Sequence, residues 1–511
     1  MSTVGPLPAR ARHPALITGS VMLATILYSI DWTIAVVALP HMQGTFSATQ
    51  DQISWVITSY IVASAIMIPT AGWLSTRFGR KRVFMTAIAG FMLASLLCGI
   101  ADTLTAVVIS RILQGATGAF LVPLSQSIIL DTYPPAEQGR AMALWGIGAV
   151  MGPVIGPTLG GYLTEYFSWR YIFYINIPFG LLALAGAAAF VPETLRDPRR
   201  KLDIFGFVTL ALGVGMLQMM LDRGGRLDWF ESSEIMIELW LAGLGLYLFV
   251  AHVLTARAPF LDPRLFANRN FAVGILFVFV YGFITIPPLV LMPPFMQDLR
   301  GYPIDTVGLL QSPRGVGLLV AMLLGGRLTG TVGPRKLIAF GLACLIVSSL
   351  AMSRWNLDVG TWPIVWTGLL QGAGAGIILV PIQALAFPSL DPGQRTEAAA
   401  VFNLVRSIGS SIGVSVALTI FTRTATMSHA RLVEHVSPYN ELLQYQSVAR
   451  AVDITSTAGL AGLERQIETQ AQLFAYTTDF YLLALAALAG FPLLLLIGMR
   501  RRPTEAGKPA A

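Results

Sequence analysis

Charge is scarce in this chain, and so are cysteine and histidine. Only 12% of its 511 residues are Asp, Glu, Lys or Arg, about half the roughly 25% usual in soluble domains. That shortage excludes an ordinary water-facing globule. With 55% hydrophobic residues and a mean hydropathy of +0.67, the chain carries more apolar side chain than a soluble core holds, so its main solvent must be lipid. The two cysteines, Cys98 and Cys344, both lie in apolar runs, which excludes a disulfide framework. The five histidines, His13, His41, His252, His429 and His435, show no metal spacing. There is no phosphate-binding loop and no nucleophile constellation either, so the expectation is neither an enzyme nor a metalloprotein, and no cofactor. The net charge of +7 sits in short clusters between apolar runs. That is the pattern of membrane topology and not of a nucleic-acid partner. No cleavable signal peptide is evident.

What is present is a series of apolar runs, each near the roughly 20 residues that span a bilayer. Fourteen are predicted, at 16–40, 53–74, 83–101, 104–130, 141–163, 169–191, 204–222, 235–255, 271–293, 305–328, 337–353, 362–387, 397–420 and 476–499. The predicted class is an all-α integral membrane protein. With the N-terminus inside, 22 of the 34 basic residues fall on the cytoplasmic side, nine outside, and three, Arg111, Arg314 and Arg406, within spans. That bias places both termini in the cytoplasm. One outer loop is long, at 422–475, and its two ends read as amphipathic helix. It is either a solvated hairpin or a docking surface.

The chain also repeats itself. GWLSTRFGRK (72–81) is answered by GRLTGTVGPRK (326–336), and LQGATGAFLVP (113–123) by LQGAGAGIILVP (370–381). The offsets are 254 and 257. Spans 1–6 and 9–14 are therefore expected to be related halves, a layout that suggests a transporter with its site where the halves meet. The predicted division is a tail at 1–15, a six-helix bundle at 16–191, a linker with two additional helices at 192–270, a second six-helix bundle at 271–499 and a tail at 500–511.

GIGAVMGPVIGPTLGG (146–161) places Gly148, Gly152, Gly156 and Gly160 four residues apart, with Pro153 and Pro157 between them. Each glycine costs a helix about 1 kcal/mol and each interior proline about 3. Close helix packing along a bare stripe offsets such costs. Either it is ordinary tight packing, or the stripe sits between the halves and slides there, against Gly308, Gly315 and Gly317 of span 10. Gly409 and Gly413 look like a shorter counterpart. On the sliding reading, bulky substitution at Gly152 or Gly156 impairs transport with modest loss of protein.

These motifs, with IDWTIAVVALP (30–40), RILQGATG (111–118) and WRYIFYINIPFG (169–180), resemble the major facilitator superfamily. Within it, the chain resembles the fourteen-helix drug:proton antiporters of the EmrB type. The resemblance implies two pseudo-symmetric six-helix bundles plus two linker helices, and efflux of amphiphilic drugs across the bacterial inner membrane by alternating access, driven by the proton motive force. It also implies that the glycine run is the family's antiporter motif. The long outer loop motivates an EmrA-type periplasmic adaptor and an outer-membrane channel as partners. The alternative is a proton-coupled transporter of one specific metabolite, acting without an adaptor.

Ionisable residues deep in lipid are functional candidates by default. Asp31 stands nine residues before Pro40, roughly 13 Å along a helix at about 1.5 Å per residue. Arg111 lies at similar depth on span 4. Burial favours the protonated form of a carboxyl group and a nearby arginine the ionised form, and a proton switch needs that balance. Asp31 is expected to take the proton and Arg111 to tune it, the roles the resemblance also implies. A static pair is the plainer alternative. Arg406 is the second candidate, and no firm acid is found in spans 9–13. At the cytoplasmic gate are Gly72, Arg77, Gly79, Arg80 and Asp131, with Asp131 paired to Arg80. Thr76 stands where the family motif has an aspartate. Gln43, Phe120, Gln126, Tyr281, Phe283, Gln311, Gln371, Asn403 and Arg406 are candidates to line the substrate cavity, each with packing or lipid contact as the alternative.

Overall fold

The computed structural model describes residues 13–434 except 195, 258 and 389, together with 436 and 456–497. The tails at 1–12 and 498–511 and the centre of the long loop, 437–455, lie outside the described residues. Fourteen long rods follow one another. They are α1 (Pro14–Phe46), α2 (Gln50–Met67, continued by Ile68–Thr70 and Ala71–Phe78), α3 (Arg80–Ile100), α4 (Leu104–Gly118 and Leu121–Thr132) and α5 (Pro135–Tyr166). Then come α6 (Tyr171–Tyr174 and Asn176–Phe190), α7 (Ile204–Arg223), α8 (Ser233–Thr255), α9 (Arg269–Thr285, continued by Pro287–Pro294) and α10 (Ile304–Val332). The last four are α11 (Pro334–Met352), α12 (Thr361–Ala386), α13 (Arg395–Glu434) and α14 (Thr457–Ala489). Among the described residues, 13 helices have the length and apolar character to cross a membrane, and α5, 32 residues long, makes the fourteenth rod. No strand occurs among them.

Local sequence sets the ends. Thr49 and Gln52 form a reciprocal capping box at the start of α2, Thr103 accepts from the Ala106 amide at α4, and Asp203 does the same for Gly206 at α7. Two predicted boundaries are corrected. Pro40 does not end the first span: α1 runs through it to Phe46 and stops at left-handed Ser47 (φ 49). An interior proline forfeits one backbone bond, which packed membrane helices tolerate. Nor do the flanks of the long loop form a separate hairpin. They are continuations of α13, which reaches Glu434, and of α14, which starts at Thr457. His429 Nε2 meets Glu464 Oε1 at 2.8 Å between them. The 40 residues of α13 span about 60 Å at 1.5 Å per residue, twice the roughly 30 Å of the hydrocarbon core.

Helices α1–α6 pack as one group and α9–α14 as another, while α7 and α8 pair with each other and α7 lies against α2 and α13. The duplication is visible in the backbone. Gly79 and Gly333, 254 positions apart, turn the chain between consecutive helices with nearly equal angles, φ 92 and 87. That left-handed region is open to glycine without a Cβ penalty. The halves cross reciprocally: Gly72 of α2 lies on Glu397 of α13, and Gly326 of α10 lies on Gly139, Arg140 and Ala143 of α5.

Candidate functional site

The centre of the first half is a closed polar network. Asp31 on α1 and Arg111 on α4 are both fully buried, and Arg111 Nη1 donates to Asp31 Oδ2 at 2.7 Å. The other carboxylate oxygen accepts from Gln114 Nε2 and from Asn176 Nδ2, each at 2.7 Å. Arg111 also donates to Gln114 Oε1 at 2.9 Å and, through Nε, to the Val56 carbonyl at 3.1 Å. Its guanidinium lies 4.1 Å from the Tyr60 ring centroid, a cation–π geometry. Four rods, α1, α2, α4 and α6, therefore meet on one charge pair. Gln114 lies in the repeated LQGATG motif and Asn176 inside WRYIFYINIPFG, yet neither was singled out beside Asp31. Spacing cannot place two amides from separate helices on one carboxylate.

The glycine stripe is placed differently from the sliding expectation. Gly148, Gly152, Gly156 and Gly160 all face α1 within the same half, over Met22, Ser29, Thr33 and Ile34. A Cβ at Gly152 would overlap the side chain and the carbonyl of Ser29. Three hydrogen bonds stitch this seam: Ser29 Oγ to the Ala149 carbonyl at 2.7 Å, the Gly152 amide to Ser29 Oγ at 3.0 Å, and Thr33 Oγ1 to the Gly152 carbonyl at 3.0 Å. The contact of α5 with the second half uses another face, Gly139, Ala143 and Gly146 against Gly326 and Met322 of α10. Position 143 lies five residues before the stripe, roughly 140° around the helix at 3.6 residues per turn. A Cβ at Gly308 would meet α5 only at Thr158, at 3.3 Å, and Gly317 packs on Leu369 of its own half. The side chains of Pro153 and Pro157 lie outside the described residues. Gly409 and Gly413 sit on the carbonyls of Phe279 and Phe283 in α9. In the second half α13 thus rests on α9 as α5 rests on α1.

At the basic end of the bundle the halves are bolted together. Arg80 meets Asp131 at 2.6 Å, and Arg395 of α13 reaches the other oxygen of the same carboxylate at 2.7 Å. The latter bond crosses between halves and is a residue the sequence reading passed over as a topology charge. Beside it, Ser127 and Thr396 share a hydrogen bond of 2.7 Å. Glu397 accepts from the Asp262 amide at 2.6 Å and pairs with Arg200 at 3.4 Å. Thr76, in the position of the missing aspartate, accepts from Arg200 at 3.3 Å. Arg77 donates to the Arg200 carbonyl at 2.9 Å.

Of the nine cavity candidates, four converge. Asn403 Nδ2 donates to Gln126 Oε1 across the halves at 2.6 Å, Arg406 Nη2 donates to Asn403 at 3.3 Å, and buried Tyr281 lies within electrostatic reach of Arg406. Gln371 is buried with Oε1 unpartnered, and Gln311 and Phe283 are half-buried. Two others are elsewhere. Gln43 lies in the last turns of α1, beside its C-cap. Phe120 lines a side cleft of about 610 Å³ between α2, α3 and α4, with Leu74, Phe78, Val83, Thr86 and Thr117. Three buried acids were missed, Glu238, Glu397 and, most deeply buried of them, Asp479 on α14, 1% exposed. Its signal was a lone aspartate at the start of the last apolar run, YTTDFY.

Comparison with known proteins fits this picture. Residues 21–414 match the family model described as Major Facilitator Superfamily. The chain is 32% identical to the multidrug export protein EmrB of Escherichia coli, over 93% of this chain and 94% of that one. It is 34% identical to the protein of the same name in Haemophilus influenzae, over 96% of each. The fatty acid resistance protein FarB of Neisseria gonorrhoeae is 33% identical over 85% of this chain and 86% of its own. Among solved structures, the human organic anion transporter MFSD10 superposes with a TM-score of 0.62 at 16% identity, over 94% of this chain and 99% of that one. The proton:xylose symporter XylE gives 0.61 at 15%, over 96% and 100%. At such identities the likeness is one of fold alone.

Proposed function

Because the chain belongs to the major facilitator superfamily and, within it, to the EmrB type of multidrug efflux transporter, we propose that it is an inner-membrane antiporter. It exports amphiphilic compounds against an inward flow of protons, with both termini in the cytoplasm and with a periplasmic adaptor and outer-membrane channel as partners. The observation that carries the proton reading is the buried Asp31–Arg111 pair. Neutralising one member of a buried pair leaves the other uncompensated, at about 3–5 kcal/mol. A proton on Asp31 thus changes the energy of this conformation by more than the roughly 2.3 kcal/mol that one charge gains from 100 mV. A proton on the carboxylate weakens its bonds to Arg111, Gln114 and Asn176, and α4 and α6, which carry these donors, then repack against α1.

In this reading the basic end is cytoplasmic, and the bonds Asp131–Arg395 and Ser127–Thr396 close the cell-side entrance. Opening the other way requires them to break, which is alternating access. The Gln126–Asn403–Arg406 chain offers polar contacts to an amphiphile between the halves. The test is ethidium movement in proteoliposomes under an imposed pH gradient, for wild type and Asp31→Asn. Wild type is expected to exchange dye for protons, and Asp31→Asn to bind the dye without coupling. Normal coupling in the variant would make Asp31 structural. Dye movement indifferent to the gradient in wild type would remove the antiport reading.

A further inference from the structure

The first half meets its central carboxylate with three donors, whereas the second half buries one that has none. Asp479 is 1% exposed, and both of its carboxylate oxygens are buried without a hydrogen-bond partner among the described residues. Its neighbours along α14, Tyr476, Phe480 and Leu483, belong to an apolar cluster with Phe295, Met352 and Trp355. The Phe480 ring lies 6.0 Å from Trp355, and the Tyr476 ring 5.3 Å from Phe295. Helices α9, α11 and α13 and the π-turn Phe295–Leu299 pack against α14. Their ionisable groups offer Asp479 no compensation. The π-turn brings Asp298, whose charge acts on Tyr476. At this level α13 brings only Arg423, which is exposed. In α11 the last ionisable residue is Cys344, and in α9 it is Tyr281. A bare carboxylate in such a place is not sustained; the group takes a proton instead.

We propose that Asp479 is a second proton-binding site of the transport cycle, on the side of the molecule opposite the Asp131 latch. In this conformation a proton taken from water makes an O–H bond on one carboxylate oxygen. In the opposite conformation that bond breaks and the proton returns to water. The two conformations reach Asp479 through α13, which packs along α14 and carries the latch residues Arg395, Thr396 and Glu397 in its first turn.

The inference rests on the antiport reading, and its test has an arm independent of transport. Infrared pH-difference spectra of the purified full-length protein are recorded for wild type, Asp479→Asn and Asp31→Asn. The carbonyl stretch of a protonated carboxylic acid is expected in wild type and Asp31→Asn and is lost in Asp479→Asn. Should Asp479→Asn fold poorly, Asp479→Glu is expected to shift the band and not abolish it. A band unmoved by either variant overturns the proposal. In proteoliposomes the proton-to-ethidium ratio, from the gradient that just stops dye movement, is expected to fall by a single proton in Asp479→Asn. A ratio equal to that of wild type overturns it as well. If wild type shows no exchange at all, antiport fails while the infrared band still decides whether Asp479 holds a proton.

Discussion

Replacing Gly152 by alanine separates the two uses a glycine stripe can have. The substitution gains about 1 kcal/mol of helix propensity. Against this, the new methyl overlaps Ser29 at Oγ and also at its backbone carbonyl, so rotating the serine does not relieve it. Overpacking of that kind costs about 1–3 kcal/mol. The shift also strains the two bonds made through Gly152 to Ser29 and Thr33, worth about 0.6 kcal/mol each between membrane helices. The balance is a loss of roughly 1–3 kcal/mol of packing within the first half. Gly161 on the same helix is the control, since a Cβ there meets nothing within 4 Å; Gly161→Ala is expected to be neutral or stabilising. Thermal unfolding in detergent, followed by tryptophan fluorescence, reads both variants. Gly152→Ala should melt below wild type and Gly161→Ala at or above it. A Gly152→Ala protein that melts with wild type but no longer transports would refute the reasoning, because that is the behaviour of a sliding contact between halves.

Two further outcomes follow from the cross-half contacts and the repeat. The double variant Ser127→Cys/Thr396→Cys, built where the two hydroxyls are 2.7 Å apart, should form a disulfide under mild oxidant. Transport should then stop and return on reduction; undiminished transport in the crosslinked protein would mean that these ends never part. Gly79→Ala should destabilise more than Gly333→Ala. Both meet the left-handed cost of about 1–2 kcal/mol, but only at Gly79 does a Cβ also strike Glu193, while at Gly333 there is open space. Equal melting temperatures for the two would contradict this.

The fold was legible because lipid imposes it: apolar runs of spanning length, a basic bias and two repeated motifs leave few arrangements. The Asp31–Arg111 pair was legible for a related reason, since charge is so rare in these spans that two residues at one depth are natural partners. What the sequence withheld is rotational setting. A stripe spaced by four identifies a face but not its neighbour, and only the positions of Ser29 and Thr33 show that α1 covers it. Gln114 and Asn176 were hidden for the same reason, and Arg395 because a lone loop arginine reads as topology. Helix ends were misjudged where prolines or polar extensions interrupt hydropathy without interrupting the helix, at Pro40 and beyond Thr422.

The duplication is not symmetric in charge, and the difference bears on what a proton does. Gly115 rests on the Tyr60 carbonyl and Gly372 on that of Arg314, so Tyr60 and Arg314 hold equivalent stations, 254 apart. Gly368, 257 residues after Arg111, stands where the second half would place its own fourth-helix arginine, and the atoms it faces are those of Arg314. The arginine has moved from one helix of the half to another. Arg314 Nη2 donates to the Thr285 carbonyl at 2.5 Å, and Thr285 is 254 residues after Asp31. Among the described residues no carboxylate pairs with Arg314, and its Nη1 is buried without a partner. One half therefore holds a neutral pair and the other a lone cation at mirrored sites. Protonating Asp31 removes that difference by leaving Arg111 uncompensated too. The electrostatic likeness of the halves is thus set by a single proton, and a change of that size at the centre of a two-bundle fold favours one packing of its helices over the other.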